Sequence, residues 1–253
     1  MLGGVYGGKG SFMALCAVII AGCLWELLGL LLAEEPGKKF RRIWGVLVAM
    51  FPLLPVLENV FYSQPGMIYF LMFLTFGSFV IELFLASKSP FQNIAYYLIG
   101  FFYICFPFVF LDWMVTTEGG GYAPNRVFGL LLLVWTNDTM AYFVGSRLGR
   151  HKLFERISPK KTWEGTIGGG LCTILAAWGL SHVITDFSTA EWLALGAVAA
   201  VFGTLGDLVE SMLKRSMGVK DSGNLLPGHG GLLDRFDAFV FALPFYWLVL
   251  RIC

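Results

Sequence analysis

The sequence predicts an all-α fold: a polytopic membrane protein of about eight transmembrane helices with a polar site facing the cytoplasm. Three observations carry this expectation. Of the 253 residues, 57% are hydrophobic and 14% charged, against roughly 25% charged in an ordinary soluble domain; the mean hydropathy is +0.72. The apolar residues gather in runs near the ~20 residues that cross a bilayer. The Lys and Arg residues gather in alternate loops, as expected when basic loops stay on the cytoplasmic side.

In chain order, a glycine-rich lead (GGVYGGKG) precedes a first span at about Ser11–Leu32. Trp25 and Glu26 stand where a signal peptide would need small residues for cleavage, so this run is read as a span that is kept. The polar loop EEPGKKFRR leads to a second span, about Ile43–Val60, broken by Pro52 and Pro55. A third follows at about Met67–Leu85, a fourth at Ile94–Val115, and, after the loop TTEGGGYAPN, a fifth at Val127–Val144. The basic segment SRLGRHKLFERISPKKT is read as a loop, with Thr162 as N-cap of a sixth span at Gly165–Ile184. A seventh runs from Ala190 to Leu213 and an eighth from Leu232 to Leu250.

Eight spans put all of the 18 Lys and Arg residues on one side except Lys9, Arg126 and Arg251. Adding or dropping an interior span would scramble that partition. Both termini then lie outside the cytoplasm: either a short tail is translocated, or a preceding helix found in longer relatives is missing here. No repeat or low-complexity tract is visible, and residues 1–253 read as one integral membrane domain. A module mixing basic clusters with aromatics is absent, which removes nucleic acid as a partner. Cys16, Cys23, Cys105, Cys172 and Cys253 are scattered through apolar runs without metal-ligand spacing.

The two richest polar segments, Ser146–Glu164 and Lys214–Asp237, fall on the same face, so their chemistry can meet. Ionisable side chains near hydrocarbon depth are costly and mark functional sites. Asp207, Glu210, Ser211 and Lys214 follow at i, i+3, i+4 and i+7 and form one helical stripe. For Glu210 and Lys214 an i,i+4 ion pair on a solvated face is the plainer reading; Asp207, behind the run AVAAVFGTLG, is too deep for it. The loop Ser216–Gly231 is rich in glycine, which lets backbone N–H groups approach an anion. Lys214, Arg215, Lys220 and His229 surround it, a set of donors suited to phosphate. Asp234 and Asp237 open the last span, where a helix dipole alone would favour carboxylates. Asp234 can also face Asp207, and paired carboxylates with phosphates are how Mg²⁺ is held. Asp207 and Asp234 are therefore the candidate metal pair, with Asp237 a third. Asn137 and Asp138 lie within the fifth span, where a buried structural role and a functional one stand equal. Glu26 and Glu82, inside the first and third spans, are either structural or cavity-lining and stay outside the site.

The stretch Ser211–Asp237, read as S-x2-K-R-x4-K-D-x-G-x3-P-G-H-G-G-x2-D-R-x-D, resembles the signature of phosphatidate cytidylyltransferases, the CDP-diacylglycerol synthases. A second block, WTNDTMAYFVGSRLGRHKLFERISPKKTWEGTIGG (Trp135–Gly169), is similar to another of that family, departing from it at Met140, where many relatives carry glycine. Residues 126–253 thus hold the family motifs and would be the catalytic half; residues 1–125 match only as hydrophobic scaffold spans. The resemblance implies an inner-membrane enzyme that joins CTP and phosphatidate into CDP-diacylglycerol and pyrophosphate with Mg²⁺, a site on the cytoplasmic side, a second, monovalent cation such as K⁺, and a homodimer. It implies catalytic roles for Asp207, Asp234, Lys214, Arg215 and His229. Substrate contacts would come from Asn137, Asp138, Ser158, Lys161, Glu164, Ser211, Lys220, Asp221 and Arg235. Two other classes compete: an ion-coupled transporter, kept open by Glu26, Glu82, Asp112 and Asp138 at membrane depth, and a CTP-dependent lipid or polyprenol kinase, which would release CDP instead of pyrophosphate.

Overall fold

A computed structural model describes residues 2–51, 53, 65–85, 87–117, 119–223 and 230–253. The helices are α1 (Leu2–Tyr6), α2 (Lys9–Leu31), α3 (Lys38–Met50), α4 (Pro65–Phe84), α5 (Pro90–Gly100), α6 (Pro107–Val115), α7 (Pro124–Leu148), α8 (Trp163–Val183), α9 (Thr189–Val198), α10 (Thr204–Ser216) and α11 (Leu233–Ile252). Each expected span falls on helix, the second only over its described part. Among the described residues, five helical stretches are long and apolar enough to cross a membrane: Lys9–Leu31, Pro90–Val115, Pro124–Leu148, Trp163–Val183 and Thr189–Ser216. The chain is an all-α polytopic membrane protein, while the count of eight spans remains an expectation.

Two of the long stretches are interrupted by π turns, at Phe101–Cys105 and Ala199–Gly203. Pro107 accounts for the first: it has no N–H to donate and its ring would clash one turn back, so the helix widens ahead of it and Phe106 N–H reaches Phe101 O at 2.8 Å. At the second, the Thr204 hydroxyl donates to Ala200 O at 2.9 Å.

The segment expected as a basic loop contains a two-stranded antiparallel sheet, β1 (Lys152–Phe154) with β2 (Ser158–Thr162), pairing Lys152 with Thr162 and Phe154 with Ser158. Too few residues alternate there for the period of two to stand out. Thr162 caps α8 as expected, its hydroxyl accepting from Gly165 N–H at 3.2 Å.

The described chain divides into two compact units. The first comprises residues 1–15, 110–220 and 234–253. Within it, Gly165 and Gly169, four residues apart on α8, face α7: a Cβ on Gly169 would sit 2.8 Å from Ala141 Cβ and 2.9 Å from Asn137 O. Such small-residue spacing lets two membrane helices touch backbone to backbone. Gly206 does the same for α10 on α11, where a Cβ would meet Asp237 O at 2.9 Å. The opposite end of α7 is tied by Arg126 to Asp186 at 3.4 Å, and Lys9 approaches Asp112 at 3.7 Å.

The second unit comprises residues 16–109 and 221–233. Glu82 is a structural carboxylate there: the buried Arg41 grips it through Nε at 2.9 Å and Nη2 at 3.0 Å, and Asn93 and Tyr97 donate to it as well. Glu26 is buried on α2 and accepts from Ser222 Oγ at 3.2 Å and from Leu233 N–H at 2.8 Å.

Candidate active site

The close α7–α8 and α10–α11 crossings bring four segments of the first unit together at one end. Asn137 and Asp138 come from α7, Lys161 from β2, Asp207, Glu210, Ser211 and Lys214 from α10, and Asp234 and Asp237 from α11. A polar pocket of about 590 Å³ is lined by Asn137, Asp138, Ser146, Lys152, Ser158, Lys160, Lys161, Thr166, Thr204 and Asp207, among others.

Lys161 Nζ lies 2.7 Å from Asp207 Oδ2, and the Ser211 hydroxyl donates to Asp207 Oδ1 at 3.3 Å. Asn137 Nδ2 donates to Thr204 Oγ1 at 3.3 Å, holding α7 to α10, while its buried Oδ1 has no hydrogen-bond partner among the described residues. Lys214 Nζ bridges Glu210 Oε2 and Asp234 Oδ1, 2.5 Å from each. The i,i+4 pair of Glu210 and Lys214 is therefore real, but Glu210 is buried rather than on a solvated face. Asp237 is buried and accepts from Ala238 N–H at 2.7 Å. Its charge and those of Asp207 and Asp138 act on one another, with Lys161 the counterion near Asp138.

Ser158 and Lys161 line the pocket. Glu164 stands at the first turn of α8 and accepts from Arg150 N–H at 3.0 Å and from His151, whose Nδ1 is 2.6 Å away, fastening the end of α7 to the start of α8. Arg215 donates to Ile157 O at 3.4 Å and Val219 O at 3.1 Å, holding the hairpin turn. Lys220 and Arg235 are exposed, and so is Asp221, which opens the 221–233 segment of the other unit. His229 lies outside the described residues. Lys152, Lys160, Thr166 and Thr204 line the pocket without having been expected there. Lys152 and Lys160 both belong to the segment read as a basic loop, and its hairpin turns them toward the pocket; a Ser-Pro-Lys-Lys-Thr strand after a three-residue turn was the available signal.

Whether Mg²⁺ suits these residues can be tested on the donor set. The expected ligands Asp207, Asp234 and Asp237 offer only oxygen, the donors Mg²⁺ takes, and the repulsion between Asp207 and Asp237 favours a cation. Among the described residues, no three His, Cys, Asp or Glu side chains form a metal cluster by themselves. Mg²⁺ commonly keeps waters and substrate phosphates in such sites, so one or two carboxylates suffice.

A model of the cytidylyltransferase family matches residues 1–253. The chain is 43% identical over 160 residues to a protein of Staphylococcus aureus (strain COL) named phosphatidate cytidylyltransferase, and 42% and 44% identical over 160 residues to proteins of that name in Staphylococcus haemolyticus and Staphylococcus epidermidis. Each match takes in 62% of this chain and 59% of the relative's length. With the family model matching from end to end, the chain belongs to the cytidylyltransferase family.

Proposed function

We propose that this protein transfers the cytidylyl group of CTP to phosphatidate, forming CDP-diacylglycerol and pyrophosphate at the cytoplasmic face of a cell's inner membrane. The observation that carries the reading is the pocket itself, in which Lys152, Lys160 and Lys161 stand beside Asp138 and Asp207 at the end of a membrane helix bundle. A lipid phosphate and a nucleotide triphosphate are both anions, and joining them needs fixed positive charge beside carboxylates that can share a cation. The distribution of Lys and Arg supports the cytoplasmic assignment.

In this reading a phosphate oxygen of phosphatidate attacks the α-phosphorus of CTP; the new P–O bond forms as the bond to the β-phosphate oxygen breaks, and pyrophosphate leaves. No side-chain nucleophile is needed, because the lipid supplies it. Lys161, Lys160 and Lys152 bind and orient phosphates. Ser211 and Lys161 fix the two oxygens of Asp207. Lys214 shields the buried Glu210 and holds Asp234 beside it. Asp207 and Asp234, with Asp237, would hold Mg²⁺, which when bound neutralises the approaching anions and the charge building on the leaving pyrophosphate. Arg215, Lys220 and His229 are the further phosphate candidates, and Asn137, Asp138, Ser158, Glu164, Asp221 and Arg235 the further substrate-side ones.

The test is pyrophosphate release by the purified protein in detergent. Release that requires CTP, phosphatidate and Mg²⁺ together is the expected result. Release of CDP with a doubly phosphorylated lipid would turn the assignment to a kinase, and a folded sample with no nucleotide chemistry would reopen the transporter reading.

A further inference from the structure

Beside the polar pocket lies an apolar one of about 490 Å³, also within the first unit, walled by α8 on one side and by the α9–π–α10 rod on the other. Leu171 and Ile174 of α8 face Ala197, Val201 and Leu205 across it. Thr166 and Thr204 line both cavities, so these two threonines stand between them. The wall is lowered by small residues: a Cβ on Gly170 would stand 3.2 Å from Ala200 Cβ, and the π turn at Ala199–Gly203 forms part of the rod. Single π turns inside α-helices recur at functional sites.

We propose that this groove binds one acyl chain of the lipid whose phosphate occupies the polar pocket, and so sets chain-length preference. The inference rests on the proposed function and names where its lipid substrate lies. Length supports the occupant: from Trp163 at the polar end to Ile174 at the far end, the lining spans ~16 Å along α8 at 1.5 Å per residue, close to half of the ~30 Å hydrocarbon core. That is the depth of one leaflet. The polar pocket stands at the charged ends of the same helices, where the head group of a lipid in that leaflet would be. A lipid therefore need not leave the membrane to react: its phosphate turns in past Thr166 and Thr204 while its chain stays between α8 and α10.

The experiment compares KM for a long-chain and a dihexanoyl phosphatidate in wild type, in Ala197→Phe and Val201→Trp, which fill the groove, and in Leu175→Phe, an exposed residue of α8 outside it. The expected result is a rise in the long-to-short KM ratio for both groove variants, with no change for Leu175→Phe. An unchanged ratio in the groove variants, or an equal shift in Leu175→Phe, overturns the proposal. Wild-type protein is also photolabelled with a phosphatidate carrying a diazirine at mid-chain. Labelling of 163–174 and 197–208 that is competed by phosphatidate but not by phosphatidylcholine supports the groove even if no turnover is found, in which case only the proposed reaction fails. Labelling elsewhere, or competition by either lipid alike, overturns it whatever the variants do.

Discussion

Lys161 Nζ and Asp207 Oδ2 are 2.7 Å apart, joining a hairpin strand to a helix far along the chain. The two side chains are 24% and 35% exposed, and an ion pair open to water contributes ~0–1 kcal/mol to stability. The contact therefore orients the carboxylate and the ammonium more than it holds the fold, and in the proposed reaction that ammonium binds phosphate.

Lys161→Ala should accordingly lower pyrophosphate release ~100-fold, the scale of losing one electrostatic contact to the transition state, with little change in thermal midpoint. Equal damage to stability and turnover would make Lys161 a structural residue.

Lys214 is the opposite case. It sits between Glu210, whose side chain is 1% exposed, and Asp234. Removing one partner of such a buried arrangement costs about 3–5 kcal/mol. Lys214→Met should lower the thermal midpoint sharply, and Lys214→Met with Glu210→Gln should regain much of the stability without regaining activity. A double mutant no more stable than the single would show that the unpaired Glu210 charge is not the cause.

Asp207→Asn and Asp234→Asn should each abolish Mg²⁺-dependent turnover in protein that still folds, with Asp207→Asn melting as wild type and Asp234→Asn, which takes a partner from Lys214, melting lower. Near-normal activity in either variant would remove that residue from the metal pair.

The crossings that assemble the site depend on missing side chains. Gly169→Ala places a Cβ 2.8 Å from Ala141 Cβ, and overpacking of this kind costs about 1–3 kcal/mol. A lowered midpoint with a matching loss of activity is expected; a midpoint equal to wild type would mean that α7 and α8 tolerate separation.

Glu26 accepts from Ser222 and Leu233, on either side of positions 224–229. Glu26→Ala would leave the buried Leu233 N–H without this acceptor, at ~1–3 kcal/mol. Hydrogen exchange at Leu233 should accelerate by roughly 10- to 100-fold at that cost, with Glu26→Gln nearer wild type because its amide oxygen still accepts. Unchanged exchange in Glu26→Ala would sink the anchoring role.

Much of the protein was legible in its residues. Runs of apolar side chains in a bilayer, where backbone groups have no water to bond, satisfy them by forming helix, so the expected spans fell on helix over their described residues. The i, i+3, i+4, i+7 spacing of Asp207, Glu210, Ser211 and Lys214 placed them on one stripe because helical geometry alone decides it. Pairing is another matter. That Lys161 answers Asp207 and that Lys214 bridges Glu210 and Asp234 follow from which helices touch, and hence from close approaches at Gly165, Gly169 and Gly206; that Glu82 belongs to Arg41 follows in the same way from packing within the second unit. The hairpin that brings Lys152 and Lys160 to the pocket was hidden for a related reason: three- and five-residue strands are stabilised by each other and by α8, not by their own periodicity. Composition and spacing determined the membrane fold and which polar residues share a helical stripe; only tertiary packing decided their partners, because contact between distant residues depends on the shape of the surfaces between them.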